Sequence, residues 1–223
     1  MFWSIFFLLS VIALVVLPLV IFFYLFIYKP RHLRWGVSKE EIESELPGDS
    51  IIPESRICST RGITIKAKPY EIWQWIVQMG QSRAGFYSHD FFANMVGSKI
   101  KSLNEIKQEF QNLNVGDIIL GHPEMGWIVE AIIKNEYLVL RAADLKKKGS
   151  AYIDEPPHFD FIWIFALKKI NEESTRLIVR EKYNYKNFGL VSILVELTAF
   201  ISFIMTKKMM KGIKKRAEKN NSI

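Results

Sequence analysis

The side chains able to bind a metal, move a proton or hold an anion are few here and widely spaced. His89-Asp90, His122-Pro123-Glu124, and His158 with Asp160 contain metal-capable groups. None has the i, i+4 ligand spacing of an HExxH helix, and ligands drawn from separate loops make a weak site. Surface or turn roles are therefore the expectation for them, with no metal and no cofactor implied. No Ser-His-Asp order, paired-carboxylate pattern or nucleotide motif stands out. Gly80-Gln81-Ser82-Arg83-Ala84-Gly85 lacks the GxxxxGK[ST] order and follows a helical pattern rather than a strand, so its glycines end a helix and turn the chain. General acid–base chemistry by His89, Tyr87 or Glu130 stays open on residue type alone. The single cysteine, Cys58, excludes an intramolecular disulfide and a thiolate zinc cluster, and a buried structural thiol is expected there.

Binding chemistry is better represented. Arg83 and Tyr87 could point into a cavity mouth, where a guanidinium can hold an acidic headgroup through two parallel hydrogen bonds. The alternative is that Arg83 bonds backbone carbonyls of the irregular segment around it. Trp127, Val129 and Ala131 alternate with Ile128, Glu130 and Ile132; Phe159, Phe161, Trp163 and Phe165 alternate with Asp160, Ile162 and Ile164. Both stretches are apolar on both faces, and the second has one aromatic-rich face, as a sheet beside a large apolar cavity requires. Plain core packing would produce the same pattern. Glu130, Arg141, Arg176 and Arg180 put charges on strands; Arg180 and Glu130 could pair inside a pocket, since an unpaired buried charge is prohibitive, while Arg176 is expected to face solvent.

The elements that must position these groups follow from periodicity. Ser59 to Lys66 alternates as a strand, and Pro69 opens a helix with a core face of Ile72, Trp73, Ile76, Val77 and Met79, ending near Gly80. Short helices are expected near His89 to Met95 and Asn104 to Phe110. From Val115 the period becomes two, giving strands at Asp117–Leu120, Trp127–Ile133, Tyr137–Arg141, Phe159–Lys168 and Thr175–Tyr183, with hairpin turns at Lys134-Asn135-Glu136 and Asn171 to Ser174. A long helix from about Leu190 to Lys219 closes the chain. This order is α+β: an antiparallel sheet whose one face is covered by the apolar C-terminal helix, with a cavity between them.

Phe2 to Tyr28 is one apolar run, broken only by two serines and Pro18. As a helix its roughly 40 Å exceeds the roughly 30 Å of bilayer hydrocarbon. No side-chain charge precedes it and no small-residue cleavage site follows, which favours an uncleaved anchor over a signal peptide. Lys29, Arg31 and Arg34 come directly after it, which predicts a single-pass cell-membrane protein with its main domain cytoplasmic. A second apolar stretch, Phe188 to Met205, would put the two basic clusters on opposite sides of a membrane if it also spanned. Ser192, Glu196, Ala199, Ser202 and Thr206 form a narrow polar or small stripe on it, which suits a packed soluble helix; a second span is the alternative. The formal charge of +7 is concentrated at Lys29, Arg31 and Arg34 and at the C-terminal end, where Lys207, Lys208, Lys211, Lys214, Lys215, Arg216 and Lys219 face only Glu218. The rest of the chain is slightly acidic, so a nucleic-acid face is excluded. Both clusters could lie on anionic lipid, or the tail could be a solvated helix end.

Particular words in the chain give a resemblance covering roughly Trp35 to Glu218. They are Ser59-Thr60-Arg61 with Ile63-Thr64-Ile65; Pro69, Trp73, Trp75 and Gln78-Met79-Gly80; Arg83-Ala84-Gly85-Phe86-Tyr87-Ser88; Gln111 through Val115-Gly116-Asp117; Thr175-Arg176-Leu177 with Arg180; and Met209 to Glu218. The chain resembles the START-like superfamily, also called SRPBCC or Bet v 1-like, in a prokaryotic branch where a membrane segment often accompanies the domain. The resemblance implies a helix-grip domain at 59–219, after an anchor at 1–28 and a juxtamembrane linker at 29–58, with a short tail at 220–223. It also implies lipid carriers, hydrophobic-ligand binders or polyketide cyclases as relatives, among which fold alone does not choose. The leading reading is a membrane-anchored domain whose partners are the bilayer and a hydrophobic, lipid-like ligand held by Arg83, Tyr87, Trp127, Glu130, Phe161, Trp163 and Arg180. The runner-up is a polyketide cyclase or dehydrase using the same cavity, and a third is an interaction module with a vestigial pocket.

Overall fold

A computed structural model describes residues 2–95, 97–152, 154, 158–186 and 189–220. The N-terminal run is helical, and helix α1 continues without a break through Trp3–Leu33. Two π-turns interrupt its regular winding, Ile12–Val16 and Tyr24–Tyr28, and each ends two residues before a proline, Pro18 and Pro30. A proline ring crowds the preceding turn and donates no N–H, and a wider turn accommodates both effects. No described residue of the apolar run of α1 is buried, and α1 is the one described helix long and apolar enough to cross a membrane.

Helix α2, Lys39–Glu43, begins with a capping box in which Ser38 Oγ accepts the Glu41 N–H and Glu41 Oε2 accepts the Ser38 N–H. Strand β1 (Ile57–Ile65) leads to α3 (Pro69–Val77) and then to the short α4 (Asp90–Met95). Strands β2 (Ile118–His122), β3 (Met125–Ile133), β4 (Tyr137–Asp144), β5 (Gly149–Ser150), β6 (Phe159–Lys169) and β7 (Thr175–Tyr185) precede α5 (Leu190–Asn220). The sheet order is β1-β7-β6-β4-β3-β2, antiparallel throughout, with β5 added beside β4. This is the expected α+β helix-grip: an antiparallel sheet of seven strands packed on a long C-terminal helix.

Alternation sorts the side chains between two layers. On the inner face Ile57, Ile65, Leu138, Leu140, Phe161, Phe165, Leu177 and Val179 pack with α3 and with Val195, Ala199, Met209, Met210 and Ile213 of α5. Val195 and Ala199, in the stretch considered as a second span, thus pack in the core; Phe188 lies outside the described residues, as do 221–223. The outer face carries Val139, Ile162, Ile164, Ala166 and Ile178, closed by Leu46 and Ile52.

The segment from α2 to Ile52 is therefore a packed strap rather than a loose polar connection. Arg180, on the outer face of β7, holds it. Its guanidinium donates to the Ser44, Glu41 and Ile42 carbonyls at 2.9, 3.1 and 3.0 Å, to Thr60 Oγ1 at 3.0 Å, and to the Asp49 carboxylate. Arg176 is likewise not free in solvent: it pairs with Glu41 at 2.7 Å and donates to the Gly36 carbonyl.

Three expectations are corrected. The helix near Asn104 to Phe110 is only a 3-10 turn at Gln108–Phe110, because side chains take its backbone groups: the Lys107 N–H goes to Gln78 Oε1 and the Phe110 carbonyl to Arg83. Cys58 is exposed, on the outward face of the edge strand β1. Asp160 is buried, not at the surface, because Arg141 holds it through two hydrogen bonds, 3.0 Å from Nε and 2.5 Å from Nη2.

Arg180→Ala would leave the strap carbonyls and Asp49 without their donor. We expect the unfolding free energy of the detergent-solubilised chain to fall by about 3–5 kcal/mol, the usual cost of breaking a buried charge pair. Limited proteolysis should then cut first between Lys39 and Ile52, and an unchanged cleavage pattern would refute the assignment.

Candidate functional site

Between the inner face of the sheet and α5 lies a cavity of about 1190 Å³. Its walls come from elements separated widely in sequence: Trp127 of β3, Phe161 and Trp163 of β6, Tyr183 of β7, and Ile201 and Met205 of α5. The aromatic walls support one another. The Trp163 ring lies 4.8 Å from Phe165, 5.3 Å from Trp127 and 6.3 Å from Phe86, and Phe161 lies 4.7 Å from Tyr183. Offset and edge-on aromatic packing of this kind fixes the rings, so the wall is shaped before anything binds. The mouth is framed by the loop before α4 and by the β2–β3 hairpin, with His89, Phe92, Pro123 and Met125 on its rim.

The polar end of the cavity is Glu181. Its carboxylate is fully buried and reaches Arg61 Nη1 at 2.8 Å. It also accepts from Ser202 Oγ at 2.8 Å, Thr206 Oγ1 at 2.8 Å and Tyr183 Oη at 3.0 Å. Burial alone would raise this carboxyl's pKa, but the Arg61 charge and the Ser202 and Thr206 hydrogen bonds outweigh it and hold the group below its ordinary value. Burial and the neighbouring Glu181 charge together push the Tyr183 hydroxyl well up, so it stays protonated and donates. Glu181, Tyr183, Ser202 and Thr206 all contribute to the cavity wall, whereas Arg61 stands behind Glu181, its Nε donating to the His32 carbonyl at 3.3 Å. The site thus presents hydroxyls and a carboxylate to a guest, on a mostly apolar surface.

Of the seven residues expected to bind ligand, the structure brings Trp127, Phe161 and Trp163 together on the cavity wall. Arg180 sits on the opposite face of the sheet, under the strap. Glu130 accepts from Ser150 Oγ at 3.0 Å and lies 4.0 Å from Arg141, so its charged neighbour is Arg141 and not Arg180. Arg83 donates to the Val77 and Phe110 carbonyls at 2.9 and 2.8 Å, which is the backbone-bonding alternative. Tyr87 is buried beneath α3, donating to the Trp75 carbonyl at 3.1 Å and accepting from Gln78 Nε2 at 2.9 Å.

The Gln-Met-Gly and Arg-x-Gly-x-Tyr-Ser words are therefore architectural. Gln78 spends its amide on Tyr87 and the Glu105 carbonyl and its oxygen on the Lys107 N–H, closing the irregular segment onto α3. Gly85 adopts φ +72° where a Cβ would meet the Ser102 backbone at 2.8 Å, and Gly212 of α5 lets the helix lie against the Tyr87 backbone. Ser88 Oγ then donates to the Met205 carbonyl at 2.7 Å, tying the cavity rim to α5. Of these words only Phe86 and Ser88 reach the cavity wall; the other residues hold the mouth in place.

Glu181, the one fully buried charge on the wall, was not singled out from sequence. A signal for it existed in the polar stripe on the last helix: Ser202 and Thr206 of that stripe meet Glu181, and Glu196 meets Lys29. Among the described residues no group of three or more His, Cys, Asp or Glu could hold a metal ion. His122 Nδ1 accepts the Glu124 N–H at 3.2 Å, and Asp90 accepts from Ser102, so those groups are engaged in turns.

No family model and no curated protein matches the chain. Solved structures with similar coordinates include a protein of Mesorhizobium loti, 13% identical, covering 73% of this chain and 97% of that one at a TM-score of 0.42. A Helicobacter pylori protein is 11% identical, covering 78% and 95% at 0.45. Ara h 8.0201 is 12% identical, covering 73% and 95% at 0.41.

A carboxyl held below 4.5 in the fold contributes stability that is complete above that pH and disappears as the pH falls through the folded value. The wild-type chain should therefore lose thermal stability steeply on acidification below about 4.5. Glu181→Gln alone should be destabilised at neutral pH because Arg61 keeps an uncompensated buried charge. The double variant Arg61→Met, Glu181→Gln should regain most of that loss and show a flatter acid limb. An acid limb identical to wild type in the double variant would disprove the assignment.

Proposed function

We propose that this chain is a membrane-anchored binder of a hydrophobic, lipid-like molecule, with α1 as a single span and the main domain on the cytoplasmic side. The observation that carries the reading is the cavity between sheet and α5. At about 1190 Å³ it exceeds the range of roughly 300–1,000 Å³ usual for small-molecule sites, room enough for an extended acyl or polycyclic body. Trp127, Phe161 and Trp163 would contact that body. The basic residues Lys29, Arg31 and Arg34, directly after the apolar run, support the orientation.

The polar end sets the head-group chemistry. A buried carboxylate repels a second carboxylate or a phosphate at close range, and its hydroxyl neighbours, whose hydrogens are donated to Glu181, offer acceptor lone pairs. A hydroxyl- or amine-bearing guest is thus favoured over an acidic one. This differs from the acidic headgroup expected when arginine was the anchor, because Arg180 and Arg83 are engaged elsewhere and Arg61 is shielded behind Glu181.

Native mass spectrometry of the detergent-purified chain should show a co-purified lipid-sized adduct. Neutral N-phenyl-1-naphthylamine should bind more tightly than its anionic relative 1-anilinonaphthalene-8-sulfonate. Trp163→Ala should lose bound probe while destabilising the fold by less than the about 3–5 kcal/mol of a packed core tryptophan, because one side of the ring faces the cavity. An empty wild type that takes up neither probe would refute the reading.

A further inference from the structure

The outward flank of α5 changes character once along its length. Ile193, Leu197, Ile201 and Ile204 follow one another at spacings of four and three, so they form one stripe with Leu194 beside it. All are exposed, Ile193 at 64% and Leu197 at 52%. The same spacing continues into Lys208, Lys211, Lys215 and Lys219, also exposed. A single helix surface is thus apolar in its first part and cationic in its second.

The position of the stripe is informative. One neighbouring flank of α5 meets α1: Phe200 lies 6.5 Å from Tyr24 and 5.8 Å from Tyr28, Phe203 lies 5.5 Å from His32, and Glu196 pairs with Lys29. The other neighbouring flank, with Thr198, Ser202 and Met205, lines the cavity, and Ile201 belongs to both stripe and wall. Across the mouth, α4 repeats the pattern: Phe91, Phe92 and Met95 are exposed, Phe91 at 72%, and Phe92 is also on the cavity wall. A soluble monomer rarely leaves contiguous apolar surface of this kind open to water.

We propose that the lipid leaflet holding the end of α1 also receives the apolar stripe of α5 and the aromatic residues of α4, so that the cavity mouth opens into the leaflet and the guest enters sideways from lipid. This rests on reading α1 as a spanning helix. The exposed apolar surface of α1 runs on into the α5 stripe across the Tyr24–Phe200 contact. The Lys29–Glu196 pair marks where charge begins on α1. Past Ile204 the α5 flank turns to lysine at Lys208, the chemistry that meets anionic headgroups at a bilayer surface.

The test uses the full-length chain with Cys58→Ser, in bilayers of phosphatidylcholine and phosphatidylglycerol. Nitroxides are placed singly through Val15→Cys, Phe91→Cys, Leu197→Cys and Glu173→Cys, and their accessibility to oxygen and to a water-soluble nickel chelate is measured. Labels at 91 and 197 should match the lipid-like response at 15 and oppose the aqueous response at 173. If 91 and 197 respond as 173 does while 15 remains lipid-like, the proposal fails and the anchor stands; an aqueous response at 15 removes both. Aqueous response at 197 with spin–spin broadening would assign the stripe to a second copy of the chain and also overturn the proposal. The double variant Ile193→Lys, Leu197→Lys should slow uptake of a bilayer-resident pyrene-labelled diacylglycerol several-fold, with N-phenyl-1-naphthylamine delivered from water binding as before. Equal loss for both probes, or none for either, contradicts sideways entry.

Discussion

Glu181 and Arg61 form the junction on which the remaining elements depend. Taking two charges out of water costs several kcal/mol apiece, and only close pairing with complete hydrogen bonding offsets that cost. Here the carboxylate accepts from several elements, while Arg61 Nη1 and Nη2 make no well-aligned hydrogen bond and depend on the close charge contact. Arg61 comes from β1 and Glu181 from β7, Ser202 and Thr206 come from α5, and the His32 carbonyl comes from the end of α1. A sheet, its covering helix and the N-terminal helix thereby meet at a point that tolerates little displacement. The Phe203 ring, 5.5 Å from the Arg61 guanidinium, closes the remaining side.

That junction also accounts for where the cavity ends. Near Glu181 the hydroxyls draw α5 against the sheet, and below them Met209, on the cavity wall, is buried with Met210 and Ile213. Toward the mouth, Trp163, Trp127 and Phe86 lean on one another instead of on the helix. The gap persists because the Glu181 hydrogen bonds and the Ser88 contact with Met205 fix the same turn of α5, while the wall facing it is stiff. Stiff aromatic walls resist the collapse that would erase an apolar void.

Element order and strand alternation were legible from the residues, because each depends on neighbours in sequence. The period-two stretches at 127–133, 159–168 and 175–183 all became strands, and the last helix runs from Leu190 as its periodicity required. Charge partners were less legible. Arg180 and Glu181 are adjacent in sequence and point to opposite faces of one strand, so which arginine enters the core depends on which surface the strap covers. Gly48 and Asp49, which look like ordinary turn chemistry, supply the acid for Arg180. Similarly, Tyr87 reads as a functional residue by type, but its φ of +54° and its place under α3 are products of the turn at Gly85.

The junction between α1 and the strap has a mechanical consequence. The Gly62 N–H bonds the Trp35 carbonyl at 3.0 Å, and Gly36 approaches Gly62 so closely that only a missing side chain permits it. Arg176 then clamps the Gly36 carbonyl and Glu41 within a few residues of the last turn of α1. The domain is consequently joined to α1 by a splint without slack. In the proposed arrangement it works as a fixed station: molecules are drawn out of the surrounding sheet of lipid and handed on at that spot, and any ferrying falls to whatever comes to meet it.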